Sequence, residues 1–249
     1  MGKHAQRSGG FSKLSAKRYT LVIDSSLKGV SLGLFSEGAR QLGYLCCHDT
    51  YGSSKFLTTG VQEILEEENL TVDRIANIVV AVGPGSFTGV KIGIAFAQGL
   101  TYGNHRHKVE LFGVSSMMAF HRMGQRSEYV ALPATKTQGY VFGEFGGILE
   151  HRILKKTSEG YRVVGADGRS EEFNKASTRI LLPWDDLHAT VGGQNIDSYS
   201  SVSQKILGSM SLIASEKLDA IGTGDKLLEP NYLRKPAAEE RLDEKIEKA

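Results

Sequence analysis

Apolar and polar positions change period several times along this chain, and each change predicts an element. YTLVIDSS (19–26) is β-branched, apolar and closed by polar turn residues, which reads as a strand. GVSLGLF (29–35) alternates with a period of two and reads as a second strand, and RQLGYLCCHD (40–49) as a third. The spacing then turns helical over 53–70: Phe56, Leu57, Val61, Ile64 and Leu65 fall on one face, with Ser53 or Ser54 placed to cap it. RIANIVVAV (74–82) is apolar throughout, the signature of a strand buried on both faces. A helix is predicted over 87–103, followed by a further strand and helix within 109–123.

The second half begins with two strands, YVALPATK and GYVFGEFGG, around a Thr137-Gln138-Gly139 turn. Short strands are predicted at 179–183 and 188–193 and a helix over about 198–215. The turn-rich stretch between, including Ala166-Asp167-Gly168, shows no clear period. Three antiparallel strands, a helix, a buried strand and a helix are the core order of ribonuclease-H-like and actin-like α/β folds. The expected organisation is a disordered leader over 1–18, domains over 19–124 and 125–234, and a charged tail over 235–249.

Charge changes little in this picture. The 30 Lys and Arg residues nearly balance 28 Asp and Glu, and Lys3, Arg7, Lys13, Lys17 and Arg18 all precede the first acid, Asp24. Without those five the remainder is slightly acidic, so it offers no basic face of the kind nucleic acid requires. The leader lacks the apolar block of a secretory signal, and no apolar run approaches the ~20 residues that span a bilayer. Cys46 and Cys47 are adjacent on a strand, so they point to opposite faces and cannot bridge each other. They read as reduced packing residues of a cytoplasmic protein with no membrane partner.

The stretch IVVAVGPGSFTGVKIGIAFAQG (78–99) runs from strand through glycine turn to helix, as many phosphate loops do. It fails as a P-loop, because neither the lysine nor the hydroxyl stands at the required place and Lys91 comes too late. Gly83, Gly85 and Gly89 are a loose dinucleotide pattern, but Glu110 begins the next strand instead of ending it. A nuclease would need several carboxylates converging on metal ions; only Asp24 and Glu63 are placed for this, and Gly83 stands where another is wanted. The histidines include no i, i+4 pair for a metal, and no G-x-S-x-G nucleophile turn occurs.

One nucleotide reading survives, an actin-like cleft. Asp24 and Ser25 (in IDSSLKG) would line its first side and Gly192 and Gly193 (in VGGQN) its second, holding ATP or ADP weakly or as a vestige; the alternative is that these are ordinary turns. The helix after the glycine turn carries Gly89, Gly93 and Ala97 on one face. That face suits close packing, either on the protein's own sheet or on a partner. Its other faces are also apolar, and a helix apolar all round is expected to be covered on both sides.

At GPGSFTGVKIG (83–93) the chain resembles the bacterial TsaB (YeaZ) family of tRNA N6-threonylcarbamoyladenosine biosynthesis. LVIDSS at 21–26, the helix after Ser53-Ser54 and PNYLR at 230–234 follow the family's order, so the resemblance covers about 19–234. Departures occur where the family often has His-Ser (here Ser53-Ser54) and Asp-Ala-Arg before Glu-Val-Tyr (here Pro133-Ala134-Thr135 before Gln138-Gly139-Tyr140). The resemblance implies a two-domain actin-like (ASKHA) fold with no catalytic residue, metal site or required cofactor of its own. Gly83, Pro84, Gly85, Ser86, Phe87, Thr88 and Gly89 form the motif loop. The implied role is to bind and activate the catalytic subunit TsaD through first-domain helices, with the ATPase TsaE joining and tRNA met only indirectly. Without TsaD, the same surface would pair two copies. The alternative function is a nucleotide-dependent kinase or ATPase working through the interdomain cleft.

Overall fold

Leu21, Val22 and Ile23 are all fully buried, so the first strand is covered on both faces. The computed structural model describes residues 18–27, 29–47, 53–103, 108–123, 129–135, 137–158, 160–165, 170–172, 178–180, 199–216 and 228–233. Strands β1 (Tyr19–Asp24), β2 (Val30–Phe35), β3 (Gln41–Cys47), β4 (Ile75–Ala81) and β5 (Glu110–Val114) form one sheet in the order β3-β2-β1-β4-β5. β1, β4 and β5 are parallel, and β2 is antiparallel to both its neighbours. The register sets Gly33, Val22, Val79 and Phe112 in one row across four strands. This order, with its reversed second strand, is that of the actin-like fold, as the sequence predicted.

Helices α1 (Ser53–Glu67) and α2 (Phe87–Gly103) cover one face of this sheet. Leu21, Ile23, Leu32, Leu34, Ile78 and Val80 meet Leu57, Ile64, Val90 and Ile94 there. Each such side chain removed from water contributes about 1.5–3 kcal/mol. The opposite face packs on α3 (Ser116–Met123) and α4 (Tyr199–Ser215), which pack on each other. Tyr44 and Ser203 share a hydrogen bond from β3 to α4, and burial pushes the Tyr44 phenol up to about 12.

The second sheet contains β6 (Tyr129–Pro133), β7 (Gln138–Phe145), β8 (Ile148–Thr157), β9 (Gly160–Val164), β10 (Ser170–Glu172) and β11 (Thr178–Ile180), ordered β10-β9-β8-β7-β6-β11. Its Val130, Leu132, Tyr140 and Phe142 join Val22, Val79, Met117, Phe120, Leu207 and Met210 in one core, so α3 and α4 lie between the sheets. β8 and β9 were not foreseen: ILEHRILKKT hides its alternation behind charges that are tolerated where the strand is half-exposed. Gln138 and Gly139 belong to β7 and not to a turn, and the strand predicted at 179–183 is the short β11, parallel to β6. The strand predicted at 188–193 lies outside the described residues, as do residues 1–17 and 234–249.

Candidate functional site

Asp24 ends β1, at the carboxyl edge of the parallel strands where open α/β sheets usually bind ligands. It is 0% exposed. Its Oδ1 accepts hydrogen bonds from the Ser26 backbone N–H (2.9 Å) and the Ser26 hydroxyl (2.8 Å), and its Oδ2 accepts one from the Ser116 hydroxyl (2.8 Å). The Ser26 and Ser116 oxygens are themselves 2.9 Å apart. Each hydroxyl has a single hydrogen, so both donate to the carboxylate only if this third contact carries none. Both carboxylate oxygens are thus engaged by the protein itself.

The glycine loop presses against the same turn. Ser86 donates its backbone N–H to the Ser26 carbonyl (2.6 Å), and the Ser25 hydroxyl donates to the Gly89 carbonyl (2.8 Å). A Cβ on Gly85 would lie 2.1 Å from the Ser26 carbonyl oxygen, and one on Gly89 would lie 2.0 Å from that of Ser25. These glycines let two backbones approach, and no room for a phosphate is left between them. Asp24 and Ser25, read from sequence as either one side of a vestigial nucleotide cleft or an ordinary turn, are buried in this contact. Gly192 and Gly193, expected on the other side of that cleft, lie outside the described residues.

The small-residue face of α2 also points inward. Gly93 and Ala97 are buried, and a Cβ on Gly93 would meet the Ser25 hydroxyl at 2.2 Å and Val80 at 3.5 Å. The expectation that Gly89, Gly93 and Ala97 form a partner interface is therefore corrected. Their spacing places them on one face, but only packing decides which way that face turns. The outward ridge of α2 is Thr88, Lys91, Ala95, Gly99 and Tyr102, flanked by half-buried Ile92 and Phe96; Tyr102 is 65% exposed.

At the start of the loop Gly83 takes φ +93°, a conformation that favours glycine, and precedes a cis bond to Pro84. The segment PNYL (230–233) clasps the loop from outside: Asn231 donates its N–H to the Val82 carbonyl (2.7 Å), and Tyr232 stacks on Phe87 at 4.8 Å. Lys91 Nζ lies 4.0 Å from the Phe87 centroid. These two segments, about 145 residues apart in sequence, are one contact in the structure. Stacked pairs contribute about 0.5–1.5 kcal/mol beyond burial. Tyr232→Ala is therefore expected to destabilise by about 1 kcal/mol in urea melts, with Phe tolerated in its place.

Ser115, Ser116 and His151 were not singled out in the sequence. Ser115 caps α3, its hydroxyl accepting the Met118 N–H (3.3 Å), and lies 2.7 Å from His151 Nε2 on β8. Burial lowers the His151 pKa to about 4, too low for a general base at neutral pH. With Ser115 only 1% exposed, the pair is no nucleophile. The signal in sequence was the Ser-Ser pair before a helix, which reads only as a cap. A recess of about 100 Å³ lined by Thr20, Asn77, Glu110 and Ser211 lies at the opposite end of the strands and is too small for a nucleotide. Among the described residues no three His, Cys, Asp or Glu side chains gather as a metal site, and no helix is long and apolar enough to cross a membrane.

Residues 52–157 match the family TsaD, tRNA N6-adenosine threonylcarbamoyltransferase. The tRNA threonylcarbamoyladenosine biosynthesis protein TsaB of Escherichia coli is 33% identical over 98 residues, 39% of this chain and 40% of that protein. The Haemophilus influenzae TsaB is 28% identical over 144 residues, 57% of this chain and 58% of that protein. The chain thus spans about 40 to 58% of the length of these curated relatives. A Pseudomonas aeruginosa crystal structure, described as a protein with similarity to peptidase YeaZ, superposes with a TM-score of 0.60 at 20% identity, covering 87% of this chain and 100% of that one. A second structure, YeaZ from the same organism, gives 0.53 at 21% identity. The chain is thus similar to the TsaB (YeaZ) proteins in sequence over part of its length, and it shares the fold of the YeaZ structures.

Proposed function

We propose that this chain is the non-catalytic subunit of a tRNA threonylcarbamoyladenosine-forming complex, binding and activating TsaD together with TsaE. The observation that carries this reading is the sealed turn at Asp24. Where an actin-like enzyme would meet its nucleotide, the carboxylate is hydrogen-bonded to Ser26 and Ser116, and the glycine loop lies against the Ser25 and Ser26 backbone. The similarity to TsaB proteins supports a role in that biosynthesis. Docking uses the outward ridge of α2, where Ala95, Gly99 and Tyr102 stand beside Ile92 and Phe96 and let another helix come close. Two copies would pair through the same ridge when TsaD is absent.

Ala95→Arg tests this, because Ala95 is exposed and the substitution should leave the melting temperature unchanged. A buried, unpaired cation at an interface costs several kcal/mol. Capture of TsaD on co-expression should therefore fall at least ~30-fold by that arithmetic, and undiminished capture would count against the docking ridge. Calorimetry of the isolated chain with magnesium and ATP should be silent. Tight binding with turnover would support the kinase or ATPase reading instead.

A further inference from the structure

We propose that the recess at the amino edge of the first sheet is a binding site for a guanidinium head group, carried by a small molecule or by an arginine of a partner chain. Its floor is one row of the sheet: Thr20 of β1, Asn77 of β4 and Glu110 of β5 are register neighbours. They share a face with Val22, Val79 and Phe112, two residues further along each strand. That next row is apolar and packs with Leu207 and Met210 of α4. The polar row instead borders an open space, closed on its far side by the last turn of α4. There Ser211 is 4% exposed, yet its hydroxyl has no hydrogen-bond partner among the described residues. A hydroxyl withdrawn from bulk water and left unpaired is costly unless something in the recess meets it.

The lining selects the ligand. Asn77 Nδ2 donates to Thr20 Oγ1 at 3.2 Å, so Asn77 keeps its Oδ1 lone pairs. The Ser215 hydroxyl donates to the Leu212 carbonyl (2.8 Å), which leaves its oxygen as an acceptor only. Glu110 stands exposed at the rim and forms no ion pair among the described residues. Arg18, which reaches across from β1, spends a guanidinium N–H on the Lys108 carbonyl (3.1 Å). Acceptors and one carboxylate around a single space call for a ligand that is positive and rich in N–H donors. Adjacent strands stand about 4.8 Å apart, so Asn77 and Glu110 can share one planar fork, and a carboxylate takes guanidinium through two parallel hydrogen bonds. Phe112 and Ala214 supply an apolar wall for an alkyl stem. A volume of about 100 Å³ holds a few waters or one such head group, more than a bare metal ion fills.

Amide NMR of the full chain, titrated with methylguanidinium chloride against matched sodium chloride, reads the site. Saturable shifts confined to the amides around Thr20, Asn77, Glu110 and Ser211 are expected, with a dissociation constant in the millimolar range for so small a ligand. Urea, equally planar but neutral, should bind at least ~10-fold more weakly, because charge-assisted hydrogen bonds are about twice as strong as neutral ones. Glu110→Gln, at an exposed position, should leave the melting temperature unchanged and weaken methylguanidinium about tenfold. Ser211→Ala should weaken it about threefold, the loss of one neutral hydrogen bond. Shifts that are absent, spread over the whole chain or equal for urea would overturn the site, as would full affinity in either variant. A blocked glycyl-arginyl-glycine peptide separates the two sources. Binding at least as tight as that of methylguanidinium assigns the head group to a partner chain, and exclusion of the peptide assigns it to a free small molecule.

Discussion

Gly89→Ala is expected to destabilise the fold by about 4 kcal/mol or more, enough to leave a domain of ordinary stability largely unfolded. The added carbon would sit 2.0 Å from the Ser25 carbonyl oxygen, and that oxygen belongs to backbone fixed in the β1–β2 turn, so no rotamer relieves it. Separating α2 from the turn would also break the Ser86-to-Ser26 and Ser25-to-Gly89 hydrogen bonds and part the apolar faces beneath. Gly85→Ala should behave alike, meeting the Ser26 carbonyl at 2.1 Å. Gly93→Ala should cost less, about 1–3 kcal/mol, because the atom it meets is the Ser25 hydroxyl, which can rotate away at the loss of one hydrogen bond. Gly99, further along the same helix, faces open space; alanine there should stabilise by up to about 1 kcal/mol. Chemical denaturation of the four variants checks the ranking, and equal effects at positions 89 and 99 would show that helix propensity, not contact, governs this helix.

Asp24→Ala is expected to cost about 3–5 kcal/mol, whereas Asp24→Asn should cost no more than about 2. Alanine leaves the Ser26 N–H and two hydroxyls without their acceptor in a site closed to water. Asparagine can close the ring: its amide donates to Ser116, Ser116 donates to Ser26 across the 2.9 Å contact, and Ser26 donates to the remaining carbonyl. The two variants also separate structure from chemistry. If Asp24 served a metal-bound nucleotide, asparagine would abolish function while the fold stood. If Asp24 only braces the turn of a scaffold subunit, a folded Asp24→Asn protein retains capture of TsaD. Loss of capture at unchanged melting temperature would contradict that role.

Much of this architecture was legible from local pattern. The bounds of α2 were read directly, because an apolar run between a glycine turn and an Asn-His pair has few alternatives. The order of the first five strands followed from where the period changed from two to 3.6. β8 and β9 were missed because strands open to water on one side tolerate charge, which blurs the alternation that identifies them. The resemblance at 83–93 and 230–234 located the important segments without saying that they touch.

Local periodicity and short motifs by themselves determined most helix and strand segments of the first half, where the glycines cluster, and which family the chain resembles. The direction of each face was decided only in three dimensions. Gly89, Gly93 and Ala97 could line a partner or a sheet with the same spacing, and the Ser25 carbonyl and hydroxyl against them settle it inward. Asp24 could bind a ligand or brace a turn, and Ser116, some 90 residues later, makes it a brace. The hydrogen bond joining Ser115 to His151 likewise has no local signature, because hydrogen bonds between distant residues are set by how sheets stack, and sequence periods report only one element at a time.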